Sequence, residues 1–236
     1  MTNEKRRPLS AVLKIYLICF IFRAIEYFIL RTDQTIFGEA FVHKLAGIFI
    51  LFAGIKLFEF KAKEIGFDKD KTIQYIAKGL AFGAVTFILA YSAEVLMLVL
   101  QGKFTGLALY VSAYAVDGNI GHRTAPVFFA FCMIGNIINV VMEEGIFRGL
   151  FPRLLEQRYT RIISNVIASG LFGIWHIMAP IRNYCDGTMS LEGLIANSVM
   201  LAVTTCLIGF KFAMITKLTG NLYMAMGDHF VNNTII

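Results

Sequence analysis

The stretch that decides the fold runs from Ala125 to Glu156 and reads APVFFAFCMIGNIINVVMEEGIFRGLFPRLLE. Its first 18 residues, up to Met142, carry no charge, and this length is close to the about 20 residues that a helix needs to cross a bilayer. Two adjacent carboxylates, Glu143 and Glu144, follow at once, and Arg148 comes one helical turn later. Because ionisable groups at membrane depth are costly and rare, they indicate a functional site whose partners lie elsewhere in the chain.

The rest of the chain has the composition of a membrane protein. Of its 236 residues, 57% are hydrophobic and 16% are charged, whereas a soluble domain has about 45–50% apolar and about 25% charged residues. Seven apolar segments predict an all-α, polytopic transmembrane helical bundle that forms a single integral membrane domain over residues 1–236. The segments are residues 9–30, 39–58, 72–100, 126–157, 160–179, 191–216 and 219–236.

The basic residues are distributed unevenly over the connections between these segments. Of the 22 Lys and Arg residues, 12 lie in alternate connections and four lie in the opposite ones. This positive-inside pattern predicts a multi-pass protein of the cell membrane with a cytoplasmic N-terminus, and it explains the net charge of +6 without a nucleic-acid partner. The small size favours a prokaryotic origin. The richer connections contain Lys5, Arg6, Arg7, Lys61, Lys63, Lys69, Lys71, Arg153, Arg158, Arg161, Lys211 and Lys217, and the poorer ones contain Arg31, Lys103, Arg123 and Arg182.

The two carboxylates have different neighbours on a helix. They point about 100° apart, and Arg148 is at i+4 from Glu144, which is the favourable orientation for an ion pair. Glu143 has no local countercharge, and a desolvated, unpaired carboxylate can accept a proton near neutral pH, as a general base does. For Glu144 and Arg148, a buried ion pair that only fixes helix packing is an equally good interpretation.

Further polar groups on two later segments reach the same depth. His176, in the stretch LFGIWHIMAP, is as far from the turn near 158–160 as Glu143 is, about 25 Å along each helix at about 1.5 Å per residue. His229 and Asn233 are i,i+4 in the last segment, so they share one helix face. One Glu, two His and one Asn therefore arrive at roughly one level on three segments.

Two chemistries fit this set of residues. In the first, Glu and His side chains hold a metal such as Zn²⁺, whose bound water attacks a carbonyl. In the second, Glu143 and His176 activate water directly, while His229 and Asn233 donate hydrogen bonds to the oxyanion. Because Asn is a natural oxyanion donor and a poor zinc ligand, and because H-E-x-x-H is absent, we prefer the second chemistry, which needs neither a metal nor a cofactor.

The three motifs resemble those of the CAAX-protease and bacteriocin-processing (CPBP, or ABI-domain) family of intramembrane glutamic endopeptidases. They are E-E-x-x-x-R at 143–148, F-x-x-x-H at 172–176 and H-x-x-x-N at 229–233. Their order and spacing match the family, and the resemblance covers about residues 65–236. It implies an all-helical membrane core whose metal-independent active site opens toward the cytosol.

The resemblance also implies the roles of four catalytic side chains. Glu143 would be the base, aided by His176. His229 and Asn233 would form the oxyanion hole. The substrate would be a membrane peptide or a prenylated or otherwise lipidated protein, cleaved within or beside the lipid bilayer.

Three other motif residues would support the site. Glu144 and Arg148 would organise it, and Phe172 would pack beside His176 on the substrate-binding side. For Phe172, an ordinary core aromatic would look the same in the sequence.

Other classes of protein remain as alternatives. A non-catalytic membrane protein that binds a peptide and confers bacteriocin immunity could keep the same fold, and a zinc-dependent membrane protease would use the first of the two chemistries. A transporter could use the buried charges as a relay. Against it, no inverted repeat is visible and the polar groups converge on one locus.

Overall fold

The structure is a computed structural model that describes residues 7–35, 37, 40–107 and 126–235. Every regular element in these ranges is helical, which confirms the predicted all-α class. Lys5, Arg6 and Arg123, which belong to the predicted charge pattern, lie outside the described residues. The α-helices are α1 (Pro8–Ile25), α2 (Val42–Leu57), α3 (Thr72–Leu100), α4 (Pro126–Glu144), α5 (Phe151–Leu155), α6 (Arg161–Trp175), α7 (Met178–Cys185), α8 (Leu191–Thr219) and α9 (Leu222–Ile235).

Five helical stretches of the described residues are long and apolar enough to cross a membrane. The chain is therefore a multi-pass membrane protein. Helices also form in the other two predicted segments, but α2 and α9 have only 16 and 14 residues, fewer than the about 20 that a straight span needs. The five stretches are Pro8–Gln34, Thr72–Leu100, Phe129–Leu155, Arg161–Cys185 and Leu191–Thr219.

The helix that carries the two carboxylates widens directly after them. A π-helical segment, Gly145–Leu150, joins α4 to α5 without a turn. Pro152 follows in α5 and has no N–H to bond to the carbonyl of Arg148, which weakens the α-helical pattern at this point. Single π-helical turns are frequent at functional sites, since they rotate the side chains that follow. Arg148 lies within this widened turn.

The segment predicted as one span over 160–179 is broken in the structure. Thr160 caps the start of α6 by accepting a hydrogen bond from the Ile163 N–H, but α6 ends at Trp175 and α7 begins at Met178. Pro180 cannot donate to the carbonyl of His176, four residues earlier, and the loss of this hydrogen bond favours the break. His176 therefore lies at the break between the two helices.

The core packs the N-terminal helices α1 and α2 against the helices that carry the motifs. Val12 of α1 and Leu51 of α2 are fully buried together with Leu150, Phe151 and Trp175. These two helices precede residue 65, where the family resemblance begins. They nevertheless share one hydrophobic core with the candidate site.

Glycine positions the last helix, which carries His229 and Asn233. A Cβ atom added to Gly227 of α9 would lie 2.6 Å from the carbonyl oxygen of Ile76 and 3.1 Å from the Cα of Gly79, both in α3. Elsewhere α3 is exposed on the outside of the bundle, with 6% of its most apolar window buried. Close backbone contact at these glycines therefore sets the position of α9 against α3.

We expect Gly227→Ala to destabilise the protein. The new methyl group meets backbone atoms that cannot move aside, and overpacking of this kind costs about 1–3 kcal/mol of the free energy of unfolding. The measurement is thermal unfolding in detergent. Gly170→Ala in α6 is the matched control, because an added Cβ there meets nothing within 4 Å and alanine favours a helix by about 0.5–1 kcal/mol. Equal stability of the two variants would contradict the close α3–α9 contact.

Candidate active site

Glu143 lies where α4, α6 and α9 meet. Its Oε1 accepts a hydrogen bond from the indole Nε1–H of Trp175 at 2.9 Å, and its Oε2 accepts one from Asn139 Nδ2 at 3.4 Å. His229 Nε2 lies 3.6 Å from the same Oε2. Glu143 is 2% exposed. Glu143 has no countercharge nearby in the sequence. Its carboxylate is held instead by donors from other helices and from the preceding turn of its own helix.

Glu144 has a different set of partners. Its Oε1 lies 2.8 Å from His229 Nδ1 and 3.3 Å from Arg148 Nη1, so the predicted ion pair with Arg148 is confirmed. An ionised carboxylate only accepts hydrogen bonds, so the contact places a proton on Nδ1 of His229. The other ring nitrogen, Nε2, is thereby turned toward Glu143.

Arg148 connects the widened turn to two further helices. Its Nε donates a hydrogen bond to the carbonyl of Gly209 in α8 at 3.4 Å, and its guanidinium carbon lies 3.8 Å from the ring centroid of Phe172 and 5.3 Å from that of Phe212. The Phe172 ring also meets the ring of His176 edge to face, 4.6 Å between centroids. The predicted packing of Phe172 beside His176 is confirmed, and its role in substrate binding stays a prediction.

His176 presents one defined nitrogen to the site. Its Nδ1 lies 2.8 Å from the carbonyl oxygen of Phe172, and because a carbonyl only accepts, Nδ1 donates this bond. In the neutral imidazole, Nε2 is then the acceptor nitrogen. His176 and Glu143 lie near enough to interact electrostatically. The adjacent Trp175 donates a hydrogen bond to Glu143, so His176 lies at the depth that the sequence predicts.

Asn233 is tied to α4 through a second asparagine. Its Nδ2 donates to Asn136 Oδ1 at 3.0 Å. Asn136 Nδ2 in turn lies 3.1 Å from the Phe230 carbonyl and 3.1 Å from Thr234 Oγ1. One N–H of the Asn233 amide is therefore used to orient the side chain, one turn along the same helix from His229.

Three polar contacts of the site were not predicted from the sequence. Asn136 and Asn139 precede Glu143 by seven and four residues, which places them on the same helix face in an otherwise uncharged segment. Trp175 is the single tryptophan of the chain and directly precedes His176. A search for polar residues at helical spacing from Glu143 would have found the asparagines, whereas nothing in the sequence distinguishes Trp175 from a core aromatic.

Among the residues that the structure describes, no group of three or more His, Cys, Asp or Glu side chains is arranged to hold a metal ion.

We expect Glu144→Gln to lower stability far more than Glu143→Gln does. Removal of the Glu144 charge leaves the Arg148 guanidinium buried without its counterion, and breaking a buried pair in this way costs about 3–5 kcal/mol. Glu143 has no such cation as a direct partner, so its neutral replacement keeps most hydrogen bonds. Thermal unfolding of both purified variants in detergent measures the difference. A Glu144→Gln variant as stable as the wild type would contradict the structural role of this pair.

Comparison with known proteins finds one family match, which covers the segment with the candidate site. Residues 125–235 match the family model of the Rce1-like type II CAAX prenyl endopeptidases, and the matched range contains all three motifs. This confirms the family resemblance inferred from them. Comparisons with curated proteins and with solved structures found no match. Over residues 125–235, this chain is therefore similar to the Rce1-like family of type II CAAX prenyl endopeptidases.

Proposed function

We propose that this protein is an intramembrane endopeptidase that hydrolyses a prenylated or otherwise lipidated substrate with a glutamate base and no metal ion. The observation that supports this most is the buried contact of Glu143 with His229, at 3.6 Å between Oε2 and Nε2. It brings the candidate base and a candidate oxyanion donor from two different helices to one point. The family model describes endopeptidases that act on prenylated proteins, which agrees with this arrangement.

The proposed reaction begins with a water molecule at Glu143. Glu143 takes a proton from this water as the oxygen attacks the carbonyl carbon of the scissile peptide bond, so that a tetrahedral oxyanion forms. The C–N bond then breaks, and the proton held by Glu143 passes to the leaving amine. His176, whose Nε2 is the acceptor nitrogen in the neutral ring, aids the first step by orienting the water.

The oxyanion is proposed to lie between His229 and Asn233. Glu144 fixes the ring of His229 through Nδ1, so that Nε2 is the nitrogen left for the reacting group and donates when the ring carries both protons. The first N–H of the Asn233 amide is bound to Asn136. The second N–H is proposed to donate a hydrogen bond to the oxyanion. Donors whose orientation is set before the reaction stabilise a developing charge most effectively.

An apolar cavity whose lining includes Val140, one helical turn before Glu143, supports a lipidated substrate. It has a volume of about 340 Å³ and lies between α3, α4 and α9, at the lower end of the about 300–1,000 Å³ of typical ligand cavities. Val140, which lines it, precedes Glu143 by three residues and so lies on the same face of α4. A hydrocarbon chain in this cavity would hold the adjoining peptide within reach of the base.

A second, polar cavity supports access from the side predicted to be cytoplasmic. It has a volume of about 100 Å³, and Arg148, Arg153, Thr216 and Lys217 are among its lining residues. Arg153 and Lys217 belong to the connections that the charge pattern places in the cytoplasm. This cavity volume is sufficient for several waters, since one water needs about 10–15 Å³ of it.

The central experiment compares wild type and Glu143→Gln on a peptide whose farnesylated cysteine precedes three C-terminal residues. Removal of the base should reduce kcat by about 10²–10⁴-fold, while folding and membrane insertion are retained. Asn233→Ala should reduce kcat by about 10²–10³-fold, which is the usual cost of losing one oxyanion donor. Mass spectrometry of the released tripeptide measures both effects.

Chelation separates the two chemistries. Dialysis against EDTA and 1,10-phenanthroline should leave the activity unchanged, because the proposed base is a carboxylate. Loss of activity that Zn²⁺ restores, with about one zinc per chain by elemental analysis, would contradict the proposal and reassign the histidines as ligands.

We expect Ile137→Trp, which fills the apolar cavity, to raise KM for the farnesylated peptide several-fold with little change in kcat. Ile137 lines the cavity and is 53% exposed, so a larger ring there blocks the cavity without disturbing the core. Ile134→Trp is the matched control, since Ile134 lies on the same helix with 54% exposure and does not line the cavity. An equal KM for both variants would show that the lipid binds elsewhere.

A further inference from the structure

We propose that Trp175 is a positioning residue for Glu143, and that the N-terminal hairpin of α1 and α2 holds Trp175 in place through Arg23. The proposal rests on the proposed function, because it concerns the carboxylate assigned as the base. It extends the active site to residues that lie before 125 and hence outside the segment that matches the family model.

The contact between Trp175 and Glu143 fixes the orientation of the carboxylate. The indole Nε1–H donates to Oε1 at 2.9 Å, and both residues are buried. With Oε1 held, Oε2 is the oxygen that faces His229 and remains for a water molecule. An indole N–H is a donor only and does not titrate, so it can hold the carboxylate without competing for the proton that the reaction moves.

The indole ring is itself held on several sides. Trp175 is 0% exposed, and the guanidinium carbon of Arg23 lies 4.5 Å from the centroid of its ring. Arg23 is 6% exposed, and a desolvated cation over an indole face is among the stronger cation–π contacts. Other rings close around the indole at centroid distances of 5.8 to 6.3 Å: those of Tyr16, Phe20, His43 and Phe147.

Arg23 is anchored by polar contacts inside the hairpin. Its Nη2 donates to the Tyr27 hydroxyl at 3.0 Å, and its Nη1 lies 3.2 Å from His43 Nε2 in α2. Glu26 accepts a hydrogen bond from the backbone N–H of His43 at 2.7 Å, and its Oε2 lies 3.6 Å from His43 Nδ1. Charged groups inside an apolar bundle are costly. Here the polar contacts hold Arg23 against the indole ring of Trp175, which donates the hydrogen bond to Glu143.

The titratable and charged groups around the Glu143–Trp175 contact come from five helices. A substitution in any of them changes the local charge as well as the geometry, so the test below alters an uncharged atom. These groups are Arg23 of α1 and Glu26 directly after it, His43 and Lys44 of α2, Glu144 of α4 and Arg148 after it, His176 after α6 and His229 of α9.

The experiment replaces one atom. Trp175 is the only tryptophan of the chain, so biosynthetic incorporation of benzothienylalanine in place of tryptophan changes this residue alone. The analogue has a sulfur atom instead of the N–H and nearly the same ring size. We expect kcat for the farnesylated peptide to fall by about 10- to 100-fold, the usual effect of losing a hydrogen bond to a charged group, with KM nearly unchanged. A role in packing alone would leave kcat per folded molecule at the wild-type value, and that result would overturn the proposal.

The role of the hairpin is tested by Arg23→Met, which keeps the length of the side chain and removes the cation. We expect a decrease in kcat of about 3- to 30-fold, in the range of a desolvated cation–π contact. Lys14→Met is the matched control, because Lys14 is an exposed basic residue of the same helix, and its activity should equal that of the wild type. Equal kcat for both variants would overturn the role of Arg23 and of the hairpin.

A measurement without substrate tests the contact between Trp175 and Glu143 separately from the proposed function. The Raman band of the indole that reports N–H hydrogen bonding should indicate a strong bond in the wild type and a weaker one in Glu143→Gln, where a neutral amide replaces the carboxylate. Tyr16→Phe, which alters a ring next to Trp175 without touching Glu143, should leave the band unchanged. An unchanged band in Glu143→Gln would overturn the contact. If the band differs between the wild type and Glu143→Gln but the wild type cleaves no prenylated peptide, the contact stands and the proposed function is contradicted.

Discussion

Glu143 and Glu144 are two adjacent carboxylates in the interior of an apolar bundle, and they cannot remain there unless other helices supply donors to them. An unpaired buried charge costs several kcal/mol even after relaxation of the protein. The donors come from α6 and α9, and from Arg148 in the widened turn. The requirement therefore brings α4, α6 and α9 together at one depth.

The same requirement gives the two carboxylates different environments. Consecutive residues of a helix point about 100° apart, so Glu144 faces Arg148 and Nδ1 of His229, whereas Glu143 faces Trp175 and Nε2 of His229. A carboxylate paired with an arginine is suited to orienting its neighbours. One that is held by neutral donors and an imidazole can exchange a proton. Of the two adjacent residues, Glu144 is thus suited to positioning its neighbours, and Glu143 is suited to the proposed catalytic role.

The N-terminal hairpin extends this network beyond the segment that matches the family. Arg23 lies against Trp175, and Trp175 is bonded to Glu143, so that a residue 120 positions away in the sequence is two contacts from the carboxylate. Close backbone contact at Gly227 places α9 against α3. Two helices thus support the site by different means: α1 through the polar contact of Arg23 with Trp175, and α3 through its close fit to α9.

The sequence alone determined four features: the helical class, the approximate bounds of the helices, the Glu144–Arg148 pair and the common depth of Glu143 and His176. These depend on hydrophobic periodicity, on i,i+4 spacing and on a constant rise of about 1.5 Å per residue. Only the tertiary structure decided that Trp175 and not His176 bonds to Glu143, that Asn136 holds Asn233 and that Arg23 reaches the site. Such contacts depend on how each helix is rotated about its axis, on the break before Pro180 and on the side-chain rotamers. Packing against neighbouring helices sets these quantities, and the local sequence does not contain them.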